Sequence, residues 1–139
     1  MKNFTVKEAN SILPQIKLIV DEIKDKRKRL YEYIEKYEEE MESNQDELEI
    51  MMIKTEIDAL NKEISELIDI IESFGAVVKG IVPVLVDFPS YHNDQLIWLC
   101  WKEGEDKIEY WHGFNEGFAG RKPVSELEED VEENSKFTY

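Results

Sequence analysis

The sequence predicts an α+β fold, a long antiparallel two-helix hairpin, coiled-coil-like, packed on a small antiparallel β-sheet of three to four strands. Three observations predict it. Apolar residues recur at spacings of three and four over two stretches of similar length, the segment between them has turn-forming composition, and after Gly75 the period becomes extended. The extended half centres on Leu96-Ile97-Trp98-Leu99-Cys100-Trp101, which is rich in β-formers and free of proline. Such a run reads as a strand buried on both faces, so other parts of the chain must cover it.

Thr5-Val6-Lys7-Glu8 has the spacing of a capping box, so a helix is predicted to begin at Val6. Pro14 lacks an amide hydrogen and clashes with the preceding turn, which predicts a short first helix and a restart near Leu13. From Ile16 the seam runs Ile19, Ile23, Lys26, Leu30, Tyr33 and Tyr37, with Lys26 as its one charged interruption. Ser43-Asn44-Gln45-Asp46 is the predicted reversal. A stricter seam follows through Ile50, Ile53, Ile57, Leu60, Ile64, Leu67, Ile71 and Phe74, ended by Gly75. A reversal near Asn44 sets Lys26 opposite Lys62 and Glu63.

Strand material follows at Val77-Val78-Lys79, at residues 81–88, at residues 96–101 and at residues 107–112. Pro83 predicts an edge strand or a bulge, and Pro89 is expected to close its strand ahead of a turn at residues 90–94. Residues 113–121 form a loop with three glycines and two phenylalanines. The glycines suggest positive φ, and Phe114 and Phe118 are expected to anchor the loop on the core. Residues 125–133 hold six acids and no base; they allow a short helix capped by Ser125 but read rather as a frayed acidic tail. The predicted organisation is one domain over residues 1–139, with the arm at 5–75, sheet and loop at 76–123, and tail at 124–139.

A net charge of −15, spread over both halves, opposes nucleic acid and anionic membrane surfaces, because both are bound largely through Lys and Arg. One cysteine excludes an intramolecular disulfide, no apolar run approaches the length of a membrane span, and Met1 is followed by Lys2-Asn3-Phe4 without the apolar core of a signal peptide. The expectation is a cytoplasmic protein. No spacing for a phosphate loop, paired cysteines, a His-x-x-x-His pair or a nucleophile elbow is present, so no cofactor is expected.

The residues able to carry chemistry are Asp87, His92, Cys100, Glu103, Glu105, His112 and Arg121. His112 ends a strand just before the glycine-rich loop, where an imidazole serves as general base or metal ligand. Asp87 interrupts an apolar strand and, if buried, needs a partner. A register pairing residue 87 with 96, and 96 with 112, gives it His112; a slip of one residue sends it to the other face, and Arg121 is the alternative partner. Cys100, among tryptophans, reads as a small buried hydrophobe.

The motifs Glu8-Ala9-Asn10 with Leu13-Pro14, Val86-Asp87-Phe88-Pro89, Leu99-Cys100-Trp101 with Gly104-Glu105, Trp111-His112 and Gly117-Phe118-Ala119-Gly120-Arg121 carry a resemblance. Over about residues 4–123 the chain resembles the bacterial and archaeal family catalogued as domain of unknown function 2203. The resemblance implies no reaction or ligand; it places Asp87, Glu105, His112 and Arg121 in one recurring pattern.

Two functional expectations follow. Leu48, Met51, Met52, Ile68 and Ile70 lie off the seams, which favours a non-enzymatic, self-associating interaction module: a homodimer through the arm that also recognises a protein partner. The alternative is a small hydrolase-like or metal-dependent enzyme using Asp87, Glu105, His112 and Arg121.

Overall fold

A computed structural model describes residues 3–127. The acidic run predicted as a tail falls almost wholly beyond Leu127, outside the described residues. Helix α1 spans Val6–Glu42 and α2 spans Glu47–Ser73; five strands follow, β1 at Val77–Ile81, β2 at Val84–His92, β3 at Gln95–Lys102, β4 at Tyr110–Gly113 and β5 at Lys122–Pro123. The strands form one antiparallel sheet in chain order. The predicted α+β class is therefore observed, with five strands in place of three to four.

Contacts divide the chain into two compact units, Leu18–Ile70 and the remainder. Within the first, the two helices run antiparallel. Their inward positions Val20, Ile23, Leu30, Ile53, Leu60 and Ile64 are buried, and Lys26 Nζ bonds Glu63 Oε2 at 3.0 Å, as the reversal near Asn44 requires. Asp46 starts α2 by accepting from the amides of Leu48 (3.1 Å) and Glu49 (3.4 Å).

The second unit holds the start of α1, the end of α2 and the sheet. Thr5 and Glu8 form the predicted capping box, each backbone amide donating to the other's side chain at 3.1 Å. The break expected near Leu13 does not occur; α1 runs through Pro14. Proline in a helix costs about 3 kcal/mol. Ala9, Leu13 and Ile16 form an unbroken buried stripe across it, and burying Leu13 and Ile16 contributes about 1.5–3 kcal/mol each, enough to offset that cost. Phe4 packs edge-on against Phe88 at 5.3 Å, and the Asn10 carboxamide oxygen accepts from the Ile108 amide at 2.8 Å.

Several strand boundaries differ from expectation, and β4 begins at Tyr110 rather than at residue 107. A turn at Val82-Pro83 cuts Ile81 from the predicted strand at residues 81–88 and joins it to the strand predicted at Val77-Val78-Lys79, giving the edge strand β1 with a bulge between Val78 and Gly80. Pro89 does not end β2. Its carbonyl accepts from the Phe4 amide at 2.7 Å, on the side away from β3, so its missing N–H takes nothing from the β2–β3 ladder. The hairpin turn instead falls at Asn93 and Asp94, both at positive φ (50° and 61°), residue types that tolerate that conformation.

The sheet has two chemically distinct faces. Val84, Val86, Phe88, Ile97, Leu99 and Trp101 occupy one, and all are buried. Asp87, Trp98, Cys100, Tyr110 and His112 occupy the other.

Candidate functional site

The polar face gathers its groups by strand register. Asp87 on β2 pairs directly with Cys100 on β3, which pairs with Tyr110 on β4; His112, two residues further along β4, pairs with Trp98. Residue 87 thus faces 100, and 96 faces 91, so the register is shifted from the expected one by an even number of residues. An even shift preserves the face, and Asp87 meets His112.

His112 and Asp87 are 2% and 3% exposed, and His112 Nε2 lies 3.1 Å from Asp87 Oδ2. The other ring nitrogen, Nδ1, faces the Gly113 carbonyl at 3.0 Å. A carbonyl only accepts, so Nδ1 carries the hydrogen. Asp87 Oδ1 is buried without a hydrogen-bond partner among the described residues.

Arg121 and Glu105 form the second pair, through Arg121 Nη2 and Glu105 Oε1. Glu105 reaches it from a turn, where its Oε1 also accepts from the Lys102 amide at 2.7 Å. The Arg121 guanidinium lies 4.1 Å from the Tyr110 ring centroid and 4.7 Å from that of Phe118, and Nη2 donates to the Cys100 carbonyl at 3.1 Å. Burial opposes its charge, but the Glu105 hydrogen bond and the nearby Cys100 and Glu105 groups outweigh that and raise its pKa.

Cys100 joins the pairs. Burial first, and then the facing Asp87 carboxylate, push its thiol up from 9.0 to about 12 against the pull of Arg121. A thiol held protonated and 1% exposed is a poor nucleophile. Iodoacetamide at pH 8 is therefore expected to modify the native chain far more slowly than the denaturant-unfolded chain; equal rates would contradict this burial. Because the folded pKa lies above the unfolded one, the thiol's contribution to stability is fully present below about pH 9 and is lost as pH rises toward about 12.

The glycine-rich loop borders this face differently than expected. Phe114 and Phe118 stay 42% and 44% exposed; Phe114 instead stacks on buried Trp98, with centroids 5.0 Å apart. Positive φ among the glycines occurs only at Gly75 and Gly104. A Cβ would crowd Glu116 at Gly113 and Gly120: at the second it would lie 3.1 Å from Glu116 Cβ, and at the first 2.5 Å from Oε1, the end of a flexible side chain that would have to move. Glu116 pins the loop by accepting from the Gly113 amide (3.0 Å) and Lys122 Nζ (3.1 Å), and its pKa is lowered by the Lys122 hydrogen bond first and the Gly113 amide second. Sequence reasoning missed Glu116; the glycines three residues before and four after it are the signal that marks it.

All four residues of the predicted pattern lie in this network, as two pairs bridged by Cys100. Of the others, Glu103 accepts from the Val84 amide at 2.7 Å and joins the sheet, while the His92 ring lies 6.2 Å from that of Trp111, on the apolar face. No helix among the described residues is long and apolar enough to cross a membrane. No curated protein and no solved structure matches this chain. The model of one family, described as "Uncharacterized conserved protein (DUF2203)", matches residues 2–124, and the chain belongs to that family.

Proposed function

We propose that this protein is a self-associating interaction module in which the helical arm pairs with a second copy, the two arms running antiparallel. One observation carries the reading: Leu48, Met51 and Met52, close together on α2, are 64%, 61% and 57% exposed. Together with Tyr33, the two methionines line a shallow groove on the arm. Adaptable methionines on an exposed apolar surface suit a docking face.

Charge selects the occupant. Residues 38–49 at the tip carry seven acids and no base, whereas residues 24–29 carry five bases and one acid. The two bands are centred roughly 22 Å apart along α1, at 1.5 Å per residue. A two-fold axis between them, close to the methionine row, lays each acidic tip on the other copy's basic band. Parallel arms would instead face like charge with like. An enzymatic reading draws on the gathering of Asp87, Glu105, His112 and Arg121; we prefer the interaction reading because Asp87 and His112 are buried against one another and Arg121 is engaged by Glu105.

The test is a double variant, Met51→Asp/Met52→Asp, compared with the parent by light scattering. The association constant is expected to fall at least tenfold, about 1.4 kcal/mol, with the circular dichroism unchanged. An unchanged constant, or association only with a different protein, would overturn the proposal.

A further inference from the structure

We propose that Asp87, Cys100 and His112 form a binding site for one soft divalent cation of the zinc class, held by a carboxylate oxygen, the Cys100 sulfur and His112 Nε2. The three donors come from three adjacent strands on one face of the sheet, and their ligand atoms all lie within 4.8 Å of one another. Tetrahedral ligands at about 2.0–2.3 Å from a zinc ion stand roughly 3.5 Å apart, so side-chain shifts of about 1 Å close the site.

Four further features fit a cation. His112 Nδ1 donates to the Gly113 carbonyl, which aims Nε2 inward, the outer-shell arrangement that orients histidine ligands. Asp87 Oδ1 is a buried acceptor without a hydrogen-bond partner among the described residues. A dication with one thiolate, one carboxylate and one neutral imidazole sums to zero charge, which suits a site whose residues are 1–3% exposed. The adjacent Arg121 does not compete, because Glu105 neutralises it and the Tyr110 and Phe118 rings hold it.

The mixed sulfur, nitrogen and oxygen donor set selects zinc or cobalt over magnesium or calcium, which prefer oxygen alone. On binding, three metal–ligand bonds form. The thiol proton and the proton between Nε2 and Oδ2 leave to solvent, and no oxidation state changes. Three protein ligands leave one tetrahedral position for water.

The experiment uses the full chain, stripped with chelator under reducing conditions and titrated with cobalt(II) alone. A near-ultraviolet thiolate-to-cobalt charge-transfer band is expected, saturating at about one equivalent and displaced by zinc. The chain has a single cysteine, so any such band comes from Cys100. Cys100→Ser is expected to remove the band, and Asp87→Asn to weaken cobalt binding by roughly 10–100-fold. Zinc is expected to raise the Tm of the parent and to leave that of Cys100→Ser unchanged. Absence of the band in the parent chain, whose folding is not in question, overturns the proposal, as does an equal zinc-induced Tm rise in Cys100→Ser.

Discussion

Asp87→Ala is expected to destabilise the fold by about 3–5 kcal/mol, because it leaves His112 buried with one ring nitrogen facing a void. For a chain of this size that lowers Tm by roughly 10–15 °C. His112→Ala is expected to cost a similar amount, since it removes the Nε2 partner of the buried Asp87 carboxylate. The double variant removes both members and should cost less than the sum of the singles by at least about 1 kcal/mol. Chemical denaturation of the four proteins measures this coupling, and strict additivity would show that the pair does not act as a unit.

Arg121→Lys is expected to cost about 2–3 kcal/mol although the charge is kept. The guanidinium bonds Glu105 and the Cys100 carbonyl while its flat faces meet Tyr110 and Phe118. An ammonium has neither the planar fork nor the flat face, and it leaves Glu105, whose side chain is 18% exposed, with a weaker partner. Denaturant unfolding checks the value. A loss below about 0.5 kcal/mol would mean that this pair is ordinary surface chemistry.

The hairpin was legible because two helical seams, a polar turn and a terminal Gly75 agree with one another, and the Lys26–Glu63 pair follows from counting outward from Asn44. The sheet was legible in its centre and at the start of edge strand β1, and not at its other edge. Residues 96–101 announce β3, but β5 is only Lys122–Pro123, too short to carry a period, and the Val82-Pro83 turn is hidden inside an apolar run. The Asp87–His112 pair was readable only as one of two options, since a single-residue slip reverses the face; the actual register differs from the assumed one by an even count. The joining role of Cys100 was not legible. Its apolar neighbours point to a structural residue, and only the direct pairing with Asp87 brings the carboxylate against the thiol.

The fold thus separates two duties. One unit carries the buried network around Cys100 on a sheet face, and the other carries the exposed methionine row and segregated charge on which the proposed association rests. Sedimentation equilibrium of the full chain at micromolar concentration, in low and in high salt, tests the functional half directly. A species of about twice the 16.4 kDa chain mass is expected, dissociating more readily as salt screens the charge bands. A single species at 16.4 kDa in both salts would contradict it.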